Sequence, residues 1–198
     1  MPHEKTDFQK WLEASEPRLS WDLPHLRYLY DHLERVRNGE CKRLIITMPP
    51  RHGKSETVTI RYSAWLLTQD PTLNIIVGSY NQRLANKFSR RIRSIAMDHN
   101  VALAKDKRSV DEWETLARGG VKAVGVGAGI TGFGGGHVVI DDPVKSRAQA
   151  ESRVIRENVW DWFKRRHLHA ARAEGSDHSH PDTLARGRSP GTSDARDG

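Results

Sequence analysis

Apolar positions along this chain switch between a helical spacing and short unbroken runs, and that alternation predicts a layered α/β fold. HEKTDFQKWLEA (3–14) and LPHLRYLYDHLERVRNGE (23–40) are amphipathic helices in this reading. In the second, Leu26, Tyr30, Leu33 and Val36 recur on one stripe and Gly39 supplies a stop. RLIITM (43–48), short, apolar and rich in β-branched residues, predicts a buried strand. A helix follows from about Lys54 to Gln69, broken by Asp70-Pro71. NIIVGSY (74–80) predicts a second buried strand and NQRLANKFSRRIRSIAMDHN (81–100) a second helix. Strand, helix, strand, helix at these lengths implies a parallel sheet with crossover helices.

The second half changes period. SVDEWETLARGGVKAVGVGAG (109–129) contains two strand-like pieces around Arg118-Gly119-Gly120, which predicts a hairpin. ITGFGGG (130–136) is a glycine-rich loop, read as a mobile linker. HVVIDD (137–142) is an apolar strand ending in two carboxylates, and SRAQAESRVIRENVWDWFKRR (146–166) a long polar helix. Trp65, Trp113, Trp160 and Trp162 read as packing residues. After Arg166 the chain has no Val, Ile, Met, Phe, Tyr or Trp. Such a segment buries too little apolar surface to offset its conformational entropy, so it is expected to be disordered. The organisation expected is a helical region at 1–40, a core at 41–165 and a tail at 166–198.

Composition narrows the partners. The 198 residues carry a formal net charge of +7 with a pI near 9.7, a balance that suits a polyanion such as nucleic acid. Cys41 is the only cysteine, so no internal disulfide can form and a reducing compartment is expected. The N-terminal MPHEKTDFQKW has no apolar signal core. No apolar run approaches the roughly 20 residues that span a bilayer, so no membrane role is expected.

The chemistry concentrates in two places. TMPPRHGKSE (47–56) carries Gly53, Lys54 and Ser55 in the register of a phosphate loop between a strand and a helix, with Met48 in place of the first glycine. Gly53 would let backbone N–H groups turn toward phosphates. Lys54 would reach the β- and γ-phosphates, and Ser55 would ligate Mg²⁺. Pro50, Arg51 and His52 complete the loop as ATP-binding candidates. The bland alternative is a strand-to-helix turn that happens to contain GKS. HVVIDD ends where such enzymes place a metal-holding acid, Asp141, and a carboxylate that orients the attacking water, Asp142. Alone, it also reads as a strand ending in an Asp-Asp-Pro turn.

RLIITMPPRHGKSE, VGSYNQRLANKFSRRIRSI and the run from WETLARGGVKAVGVGAGITGFGGG to HVVIDDPVK resemble the ATPase domain of phage terminase large subunits, over roughly residues 20–165. The resemblance implies a P-loop NTPase three-layer fold with a mostly parallel sheet. It also implies ATP and Mg²⁺ as cofactors and hydrolysis coupled to moving double-stranded DNA into a procapsid. Arg51 then matches a family position that senses or stabilises the γ-phosphate, and so joins Asp142 as a catalytic candidate. Asp142 itself departs from the glutamate common in related motors. The implied partners are a portal protein, a small terminase subunit and a homo-oligomeric ring, in the host cytoplasm and transiently at the portal. Two other readings stay open: a helicase-like P-loop motor, and an inactive remnant that binds DNA.

Arg83, Lys87, Arg90, Arg91 and Arg93 line the 81–97 helix, where they could grip DNA phosphates, serve a neighbouring subunit's nucleotide, or form a solvated face. The terminase pattern continues with a further strand between the loop strand and the magnesium strand, then a nuclease domain. Neither is expected here, so the fold is expected to be incomplete, with bare edges on RLIITM and HVVIDD. Back-translated with chosen third bases and shifted by one base, the segment from Arg166 reads as something similar to the missing strand. The tail is therefore expected to be a non-native frame beginning near Lys164 or Arg165. His167, His169, His178 and His180 in that tail are not expected to hold a metal.

Overall fold

The computed structural model describes residues 4–129 and 133–174. Helix α1 (Asp7–Ser15) begins where the Thr6 hydroxyl accepts from the Gln9 N–H, the arrangement that satisfies an orphan amide at a helix start. Helix α2 (Pro24–Arg37) has proline in its first turn, where the missing N–H costs nothing, and stops before Gly39 at φ +76°. Their buried stripes, Phe8 and Leu12 on α1 and Leu26, Tyr30 and Leu33 on α2, join one cluster with Trp65, Leu67, Ile75 and Ile92. Phe8 sits at its centre, edge-on to Tyr30 at 5.6 Å and to Tyr62 at 5.2 Å.

The helix predicted from Lys54 to Gln69 is present, but its first part, Ser55–Tyr62, is wound as a π-helix before α3 (Ser63–Gln69). Wide turns of this kind are rare and gather at functional sites. Strand β1 (Asn74–Ser79) and helix α4 (Gln82–Asp98) follow, with the Asn81 side chain capping α4 by accepting from the Leu84 N–H at 2.8 Å. Ala85, Phe88, Ser89, Ile92 and Ala96 form the inner stripe of α4.

The sheet holds five strands in the order β2-β3-β4-β1-β5. The predicted hairpin is β3 (Glu112–Thr115) and β4 (Gly120–Gly125), paired antiparallel. Added to it is β2 (Leu103–Arg108), an edge strand that its polar sequence did not announce. A side chain at Gly119 would stand 2.4 Å from the Pro71 carbonyl oxygen, so glycine is required where the turn crosses that loop. β5 (His137–Asp141) and β4 both run parallel to β1, giving a mixed sheet. One face of the sheet takes the π-helix and α4. The other takes Trp162, buried with Ile76 and Val124.

Four expectations need correction. RLIITM (43–48) pairs with no strand. Leu44, Ile46 and Met48 pack half-buried on the core while Ile45 is 90% exposed. An apolar run becomes a strand only where a neighbour accepts its hydrogen bonds, and no described strand pairs with this one. Among the described residues β5 ends the sheet order, so HVVIDD has the bare edge expected of it, whereas RLIITM forms no strand to have one. The single helix expected at 146–166 is two, α5 (Arg147–Glu151) and α6 (Arg153–Glu174), separated by Ser152 in an extended conformation. Helix α6 carries on into the segment expected to be disordered, because Ala, Arg and Glu there are good helix formers. The rest of that segment lies outside the described residues. Trp65, Trp113 and Trp162 are buried, but Trp160 is 56% exposed. Among the described residues no helix is long and apolar enough to cross a membrane.

Candidate functional site

The loop between residues 49 and 54 is held open by its backbone. Arg51 lies at φ +65° and Gly53 at +83°, the left-handed region that glycine adopts freely and arginine only at a cost. A left-handed non-glycine residue persists when its surroundings enforce it, and such residues cluster at functional sites. Here His52 lies 2.9 Å, through Nδ1, from the Pro50 carbonyl, and its ring stands edge-on to His25 at 5.8 Å. Pro50, Arg51, His52 and Gly53 are exposed, while Lys54 and Ser55 are half-buried at the start of the helix.

Folding brings this loop to the end of β5. The Lys54 ammonium lies 3.2 Å from Asp141 Oδ1 and donates a hydrogen bond to Asp142 Oδ1. The two acids differ in surroundings: the Asp141 side chain is 3% exposed and that of Asp142 64%. Asp142 sits at φ +42°, a second left-handed non-glycine residue at the same place. Burial pulls the Lys54 pKa down, but the contacts with Asp142 and Asp141 outweigh it, and the net shift is upward. Lys54 is thus firmly protonated and occupied by carboxylates.

Among the described residues several buried oxygens here lack hydrogen-bond partners: Asp141 Oδ2, Ser79 Oγ and Thr57 Oγ1. Native proteins leave few such atoms unpaired, so each points to a missing polar occupant. No group of three or more His, Cys, Asp or Glu side chains among the described residues could hold a metal ion. Mg²⁺ is commonly bound by one or two carboxylates with the remaining positions filled by water and substrate phosphates. Ser55 and Asp141, with the orphaned Oδ2, are suited to that task.

Sequence reasoning missed the ion-pair network behind the loop. Glu56 accepts from Arg61 Nε at 2.9 Å and from Arg91 Nη2 at 2.9 Å. Arg61 is buried, reaches Glu16 at 3.4 Å and lies 5.3 Å over the Trp21 ring. The loop helix is thereby pinned to α4 and to the segment after α1. The adjacency of Glu56 to GKS was the available signal. Arg91, though itself exposed, is engaged by Glu56, while Arg83, Lys87 and Arg90 are exposed at i, i+4 and i+7 on one face of α4. Arg93 is turned away to the Arg108 carbonyl at 2.9 Å. On the other side of the loop a cavity of 270 Å³ opens between Leu19, Trp21, Leu26 and His52.

The chain matches, over residues 45–186, a family model described as terminase large subunit, T4likevirus-type, N-terminal. The matched range covers both the loop and the two carboxylates. A comparison with curated proteins finds no match.

Proposed function

Because this chain belongs to the T4-like terminase large subunit family, a family of viral DNA-packaging proteins, we propose that it is a P-loop ATPase whose loop 50–55 cradles the phosphates of ATP. The observation that carries the reading is the meeting of Lys54 with Asp141 and Asp142, which lie far apart in sequence. A strand-to-helix turn with a chance GKS has no reason to find two carboxylates at the end of a parallel strand.

In this reading Lys54 exchanges its carboxylate partners for phosphate oxygens when ATP enters. Ser55 and Asp141 would hold Mg²⁺, which would supply positive charge against the phosphate oxygens. Asp142, left free by Lys54, orients the attacking water, and its exposure gives water access. Arg51, exposed and held left-handed, extends toward the γ-phosphate. The Arg83, Lys87 and Arg90 stripe is the proposed contact with double-stranded DNA. A portal protein, a small terminase subunit and further copies in a ring are the proposed partners, in the host cytoplasm and at the procapsid portal.

Titrating MgATP into the parent chain and into Lys54→Ala, both under conditions where each is folded, tests the reading. The parent should bind and the variant should lose measurable binding. Equal affinities would remove the phosphate-loop assignment.

A further inference from the structure

The site contains a residue to which no role has been given. Ser79 closes β1 at its carboxyl end and is fully buried, yet its hydroxyl has no hydrogen-bond partner among the described residues. In the parallel pair β1 and β5 its register partner is Asp141. Register partners in neighbouring parallel strands sit about 4.8 Å apart and send their side chains to the same face. That face also receives the π-helix that follows Lys54, since Ile75 and Val77 of β1 pack in the cluster with Ile60 and Tyr62.

The orphaned atoms therefore belong to register-paired residues on one face of the sheet. Asp141 presents Oδ1 to Lys54 and leaves Oδ2 buried without a partner among the described residues, and its register partner Ser79 likewise has an unpartnered Oγ. On the other flank Ser79 faces Gly125, which brings no side chain, and the Asn81–Gln82 backbone closes over that glycine. Thr57 Oγ1, Ser63 Oγ and Gln9 Oε1 are also unpaired among the described residues, but none of them is the register partner of a carboxylate in the sheet. A buried carboxylate oxygen and a buried hydroxyl on register partners, both unpaired, call for a shared polar occupant.

We propose that Ser79 is a positioning residue of the cation site, its hydroxyl and Asp141 Oδ2 together holding a water of a divalent cation's shell. The inference rests on the ATPase reading above and extends it to a residue outside the loop and the acidic pair. Mg²⁺ gives up its waters reluctantly, so a site with few protein ligands depends on groups that fix those waters. Outer-shell partners of this kind typically govern metal affinity by 10- to 100-fold. The Ser79 hydroxyl meets that need, because it can accept or donate and is held rigidly by the sheet on both sides.

The test uses the full chain and a ribose-labelled fluorescent ATP derivative, whose affinity is measured with Mg²⁺ and with a chelator, in the parent and in Ser79→Ala. The parent should bind more tightly with Mg²⁺. Ser79→Ala should lose about tenfold of that gain while its affinity in chelator stays unchanged. Without ligand, Ser79→Ala should melt no lower than the parent, since an unpaired buried hydroxyl contributes nothing to stability. An unchanged Mg²⁺ gain in the variant overturns the inference and leaves the ATPase reading standing. Equal weakening with and without Mg²⁺, or a lower melting temperature without ligand, also overturns it, assigning the hydroxyl to the nucleotide or to folding. A parent that binds the derivative with no Mg²⁺ gain sinks the cation site and this inference together, and a parent that binds none sinks the ATPase reading too.

Discussion

Replacing Lys54 by alanine should cost stability as well as ligand binding, because the same ammonium that would serve phosphates now neutralises a buried acid. At 3.2 Å and an effective dielectric near 20, the Coulomb attraction to Asp141 is about 5 kcal/mol before desolvation is subtracted. Surface pairs retain about 0–1 kcal/mol of such gross values, whereas removing one partner of a buried pair costs about 3–5. With Lys54 24% exposed and Asp141 3% exposed, the pair lies between these limits. The expected loss is about 2 kcal/mol, or about 4–8 °C in Tm for a domain of this size. Asp142, beside the same ammonium, adds like-charge repulsion once Lys54 is gone.

Urea unfolding followed by far-UV circular dichroism measures the loss, and a cycle with Asp141→Asn isolates the pair. The double variant should recover about 1–2 kcal/mol relative to additivity. The pH dependence has a definite sign. Lys54 has a raised folded pKa, so its stabilisation is complete below the unfolded value of about 10.4 and disappears as pH rises through the folded one. The gap between parent and Lys54→Ala should therefore narrow above about pH 10.4. A single variant within about 0.5 kcal/mol of the parent at neutral pH, or a cycle that is strictly additive, would refute the electrostatic account.

Two further outcomes are expected. Burial pushes the His137 pKa down to about 4, with the ring edge-on to Tyr62 at 5.6 Å, so the unfolded chain takes up a proton first as pH falls below about 6.5. Stability should fall as pH drops from 6.5 toward 4, by on the order of 1 kcal/mol for this half-buried ring, and His137→Gln should flatten that slope in urea titrations at stepped pH; parallel slopes would exclude His137. Reversing charge at Arg83, Lys87 and Arg90 should reduce the salt slope of duplex DNA binding by roughly one unit per lost phosphate contact, read by fluorescence anisotropy, and an unchanged slope would make the stripe a solvated face.

The elements of this protein were legible in its sequence wherever local rules decide them. Gly39 marks a helix stop and Gly119-Gly120 a hairpin, because turns depend on residues a few positions apart, whereas the caps at Thr6 and Asn81 were seen only in the structure. The phosphate-loop pattern and the paired carboxylates were likewise visible, since each is a contiguous string. RLIITM was misread because pairing belongs to a partner segment, and no property of the run itself says whether one is present. The polar strand β2 escaped for the converse reason, being admitted to the sheet by β3 alone. Lys54 meeting Asp141, Glu56 clasping Arg91, and Ser79 pairing in register with Asp141 all join distant stretches of chain. Sheet order and register decide those contacts, and through them which basic residues are engaged, which acid is buried and which hydroxyl is left without a partner.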